Sequence, residues 1–97
     1  MTNTDSILTT LKELKPLIAI RYKAKEIGLF GSFARGEQHE DSDIDLLVDF
    51  EDGADMFDLV GLSDYLEEAL KQKVDVVPKR ALREELREAV LREVVTV

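Results

Sequence analysis

Residues 43–50, Asp-Ile-Asp-Leu-Leu-Val-Asp-Phe, constrain the fold more than any other segment of the chain. Side chains alternate across a strand, so Ile44, Leu46, Val48 and Phe50 share one face, while Asp43, Asp45, Leu47 and Asp49 share the other. The first face is wholly apolar and demands a packed layer against it. The second opens with two carboxylates, so the same strand must be buried on one side and carry charge on the other.

The rest of the chain supplies the layers. Ile7, Leu11, Leu14 and Ile18 recur at helical spacing, with Asp5 or Ser6 available as the N-cap and Pro16 expected to kink or divide the helix. Ile27-Gly28-Leu29-Phe30 reads as a short buried strand that stops at the Gly31-Ser32 turn, and residues 37–42 read as a loop. Leu59, Leu62, Leu66 and Ala69/Leu70 mark a helix from about Met56 to Lys71. Lys73–Val77 fits a third strand closed by Pro78. Leu82, Leu86, Ala89/Val90 and Val94 outline a C-terminal amphipathic helix. The expected class is α/β (α+β): a small mixed three-stranded sheet flanked by helices, in the order αβ(α)βαβα, with parallel pairing permitted between the second and third strands.

With 97 residues, the expectation is a single domain over 1–97, without room for a separate substrate-binding domain. The chain has no cysteine, which fits a reducing compartment, and no apolar run long enough to span a membrane; a cytoplasmic location is expected. Of its 21 acids, ten lie between residues 37 and 58, where there is no Lys or Arg. Such a stretch repels a polynucleotide backbone and suits a cation or a basic partner.

Asp43 and Asp45 start on the same strand face with Cα atoms ~6.5 Å apart. Like charges this close disfavour joint ionisation unless a cation neutralises them, and a hard divalent ion such as Mg²⁺ takes oxygen ligands of this kind. A calcium loop is the other reading of Asp41, Asp43 and Asp45, but Leu46 stands where that loop requires glycine and Asp52 where it requires glutamate. Gly31 allows close backbone approach to a ligand, Ser32 adds a hydroxyl, and Arg35 on the following turn can reach the same anion. His39 reads as an exposed loop residue, and Tyr22 and Tyr65 as packing residues.

Gly31-Ser32, ten residues, then Asp43-x-Asp45 resembles the signature of the DNA-polymerase-beta-like nucleotidyltransferase superfamily. The stretch LFGSFARGEQHEDSDIDLLVDF is similar to its minimal nucleotidyltransferase (MNT) branch, small proteins often paired with HEPN-domain toxins. The family's third acid falls within a hydrophobic-acid-hydrophobic triplet, which Val74-Asp75-Val76 matches. The resemblance implies that Asp43, Asp45 and Asp75 are catalytic and ligate two Mg²⁺ ions, and that Gly31, Ser32 and Arg35 bind the phosphates of ATP. It further implies transfer of AMP to a hydroxyl, expected to be a tyrosine, of a HEPN RNase toxin within a hetero-oligomer. From the acidic stretch and the lack of a long apolar run, no direct polynucleotide binding and no membrane association are expected. Two rival readings accompany it: an antitoxin that neutralises by binding alone, and a nucleotidyltransferase acting on a small molecule.

Overall fold

The computed structural model describes residues 3–97. Helix α1 (Thr4–Tyr22) leads into strand β1 (Ala24–Phe30), the one-turn helix α2 (Ser32–Arg35) and β2 (Ile44–Phe50). Helix α3 (Met56–Leu70), β3 (Val74–Pro78), a 3₁₀ turn (Lys79–Ala81), α4 (Glu84–Glu93) and β4 (Val95–Thr96) complete the order. The sheet runs β3-β2-β1-β4. Strands β1 and β2 are antiparallel, whereas β2 and β3 are parallel and joined through α3 as the crossover helix.

The expected element order holds, with four differences. The sheet has four strands rather than three, because the C-terminal helix stops at Glu93 and the β-branched run that follows extends along the free edge of β1, pairing Val95 with Leu29 and Thr96 with Gly28. Leu82 and Val94 accordingly flank α4 instead of lying within it. Pro16 is accommodated inside an uninterrupted α1. That helix is capped by Asn3, whose side chain accepts the Ser6 N–H at 2.8 Å, because the helix starts one residue ahead of Asp5. Helix α3 begins with a reciprocal capping box between Asp55 and Asp58.

The two faces of the sheet are covered unequally. On one side Ile27, Leu29, Ile44, Leu46 and Val48 pack against Ile7, Leu11 and Ile18 of α1, Leu62, Leu66 and Leu70 of α3, and Phe33 of α2. The alternation within β2 is realised as read, with Ile44, Leu46 and Val48 fully buried. On the other side a smaller cluster joins Leu47 to Leu82 and Val90, edged by Phe30, Val77 and Val94. Close approach here depends on Gly28: a Cβ at that position would meet a Val94 methyl at 2.5 Å. No helix among the described residues is long and apolar enough to cross a membrane.

Candidate functional site

The ends of three strands converge at one edge of this thinner face. Strand β1 stops at Phe30, directly opposite Asp45, and Asp45 is in register with Asp75 on the parallel neighbour β3. In-register neighbours project to the same face, so two carboxylates 30 positions apart in the chain become lateral neighbours about 4.8 Å apart along the sheet. Asp43 lies just ahead of β2, exposed, as is Asp75; Asp45 between them is half-buried.

The turn after β1 is shaped around Asp45. Gly31 has φ +77°, and a Cβ there would fall 2.1 Å from Asp45 Oδ2, so the backbone conformation and the space both require glycine. Its carbonyl accepts the Arg35 N–H at 3.1 Å. Gly36, also at positive φ, closes α2 with the next N–H, that of Glu37, returning to the Ser32 carbonyl at 2.9 Å. Thr4 Oγ1 donates to the Phe33 carbonyl at 2.7 Å and ties this turn to the start of α1.

Electrostatically the site centres on Asp45. Burial raises its carboxyl pKa above the ordinary value; the charges of Asp75 and Asp43 raise it further, Arg35 opposes them, and Glu93 adds to the rise. Among the described residues no three acids or imidazoles form a ready-made cation cage. The arrangement is an open one, with oxygen donors on adjacent strands and excess negative charge at one point.

Each residue singled out from the sequence has a definite place. Asp43, Asp45, Asp75, Gly31 and Ser32 lie at the same edge of the sheet, on or next to strand ends. Arg35 sits at the end of α2 close enough to influence Asp45, but two acids already hold it: Nε donates to Glu37 Oε1 at 2.7 Å and Nη1 to Glu93 Oε2 at 2.9 Å. Those hydrogen bonds, to Glu37 first and then Glu93, raise its pKa. His39 is exposed, and Tyr22 and Tyr65 pack together at 5.8 Å between ring centroids.

Two residues escaped the sequence reading. Ser42 is buried; its hydroxyl accepts the His39 N–H at 3.0 Å and its carbonyl accepts the Gln72 side-chain amide at 2.9 Å. With the Ile44 N–H bonded to the Lys73 carbonyl, these contacts fix Asp43 relative to the start of β3. A serine before the strand in an acidic loop is a turn signal that could have been used. Glu93 carries no comparable signal, since its partner Arg35 is 58 positions away.

A small mixed sheet with a glycine turn and strand-borne acids at one edge has the architecture of a nucleotidyl-transferring domain. Residues 6–97 match the family model described as nucleotidyltransferase domain, and the chain belongs to that family. It is 47% identical over 94 residues to the protein adenylyltransferase MntA of Thermococcus cleftensis, covering 96% of this chain and 91% of that protein. A solved chain described as a candidate minimal nucleotidyltransferase superimposes with a TM-score of 0.87 at 40% identity, covering 99% of this chain and 97% of the other. A further structure, of a tri-AMPylated Shewanella oneidensis HEPN toxin in complex with its MNT antitoxin, matches with a TM-score of 0.60 at 28% identity, covering 97% and 67%.

Proposed function

We propose that this chain, as a single minimal domain, is an antitoxin that transfers AMP from ATP to a tyrosine hydroxyl of a HEPN-domain toxin, using Mg²⁺, within a cytoplasmic hetero-oligomer. The observation that carries the reading is the lateral pairing of Asp45 with Asp75 beside a glycine turn that only Gly31 can make. The adenylyltransferase activity named for the Thermococcus relative and the AMPylated toxin held by the Shewanella antitoxin support the choice of AMP and of a protein acceptor.

Magnesium fits the donor set: the donors are carboxylate oxygens alone, and this cation binds through one or two carboxylates together with substrate phosphates and water, so an open site suffices. Asp43 and Asp45 would hold two such ions, with Asp75 completing the set. When bound, the ions neutralise the triphosphate and make the α-phosphorus more electrophilic. Gly31 and Ser32 bind the β- and γ-phosphates, and Arg35 balances their charge. The acceptor oxygen attacks the α-phosphorus in line; the new P–O bond forms as the bond to the β-phosphate oxygen breaks, and pyrophosphate leaves. Asp75 takes the hydroxyl proton. Catalysis of this kind rests on positioning and electrostatics more than on covalent chemistry by the protein.

Incubation with Mg²⁺, α-labelled ATP and the co-encoded HEPN partner is expected to label the partner. Absence of label with the wild-type chain, together with full neutralisation of the toxin by the Asp43→Ala/Asp45→Ala variant, would replace this reading with neutralisation by binding alone.

A further inference from the structure

We propose that Glu93 is a positioning residue for the nucleotide: by gripping the Arg35 guanidinium it makes the C-terminal segment part of the phosphate-binding site. The inference rests on the reading that Arg35 faces the triphosphate. Arg35 projects from a helix of a single turn and its side chain is half exposed, so nothing in α2 itself fixes the long side chain. Two carboxylates do so from different edges of the fork: Glu37 takes Nε, and Glu93 takes Nη1 with both of its oxygens, at 2.9 and 3.3 Å. Five donors are available on a guanidinium, more than these two acids use, so an oriented Arg35 still has N–H groups to offer a phosphate.

The two acids are not equivalent anchors. Glu37 follows α2 in a loop and its side chain is 65% exposed, whereas that of Glu93 is 24% exposed. Glu93 is also the last residue of α4, held in place by Val90 against Leu47 on one side and by Val94 against Gly28 on the other. Its position is electrostatically poor in two respects. A carboxylate at a helix C-terminus opposes the helix dipole, and this one stands among acids whose joint charge already burdens Asp45. An acid placed against both local preferences is explained by the cation it holds.

The sign of the effect on nucleotide binding decides the matter. Simple electrostatics predicts that removing a negative charge beside a phosphate site tightens binding; pre-organisation of Arg35 predicts that it weakens. The test is a double-mutant cycle on Mg²⁺-AMP-PNP affinity, measured by calorimetric titration of wild type, Glu93→Ala, Arg35→Ala and the double variant, each checked by thermal melting. Glu93→Ala is expected to weaken binding by about tenfold, the scale of coupling between contacting charged groups, with Glu93→Gln intermediate. The double variant is expected to bind no worse than Arg35→Ala alone. Unchanged or tighter binding by Glu93→Ala, or losses that simply multiply in the double variant, overturns the role of Glu93 and leaves the functional reading intact. Failure of the wild-type chain to bind the nucleotide removes the functional reading itself. Should Glu93→Ala fail to fold, the same cycle run with Glu93→Gln and Arg35→Lys decides by the same criteria.

Discussion

The two faces of the sheet solve different problems with the same strand. Against α1 and α3, Ile44, Leu46 and Val48 lose all contact with water in a continuous core. Towards α4, Leu47 has a few apolar neighbours, and at the edge of that face Asp45 is held with its pKa raised by burial and by like charges. Burial of a large aliphatic side chain stabilises by about 1.5–3 kcal/mol, so the first face contributes most of the hydrophobic stability. The second face gives up part of that stability to concentrate charge at Asp45 and its acidic neighbours.

This division can be broken most sharply at Asp45. Asp45→Asn is expected to reduce label transfer to the partner by about a thousandfold, a loss on the order of 4 kcal/mol in transition-state stabilisation, read from initial rates. The same substitution is expected to stabilise the metal-free fold at neutral pH. Because the folded-state pKa of Asp45 is raised, folding stability falls as pH climbs from the ordinary carboxylate range through the raised value. The asparagine removes that loss, so its advantage in melting temperature should be present at about pH 8 and fade at about pH 4. Added Mg²⁺ should raise the melting temperature of the wild-type chain more than that of the variant.

A second contrast compares adjacent residues on opposite faces. Leu46→Ala is expected to cost about 3–4 kcal/mol in urea denaturation, and Leu47→Ala about 2 kcal/mol, because the cavity left beside α4 is the easier to collapse. Equal losses would mean that the α4 face is as much a core as the other. Gly28→Ala should cost about 1–2 kcal/mol by pushing Val94 outward, with faster hydrogen exchange confined to α4 and β4. The smallest effect is at the cap of α3, where Asp55→Ala should cost about 1 kcal/mol without altering nucleotide binding.

Legibility from sequence divided along the same line. The core face was readable because period-two alternation in β2 and helical spacing in α1 and α3 are local patterns, each visible within a few residues. Asp43, Asp45 and the Gly31-Ser32 turn were readable as candidates for the same reason, and the resemblance then selected Asp75. The α4 face was less so. A two-residue strand such as β4 has no pattern of its own and exists because β1 offers an unpaired edge. Likewise Val94 continues the helical spacing of α4 but is drawn out of the helix by its contact over Gly28. The grip of Glu93 on Arg35 depends entirely on that long-range docking.

The parallel register of β2 and β3 also bears on how the chain reaches its folded state. Asp45 and Asp75 meet only after the α3 crossover has closed, a step of higher contact order than antiparallel pairing of β1 with β2. Their mutual repulsion therefore bears on the high-contact-order step in which β3 docks, the step expected to limit the rate. Refolding should accelerate when that repulsion is relieved, whether by Mg²⁺, by mild acid or by Asp45→Asn, and stopped-flow measurements would then locate the sheet's docking step by its sensitivity to charge. Such an acceleration would make the register that gathers negative charge at this sheet edge a determinant of the folding rate as well as of the candidate site.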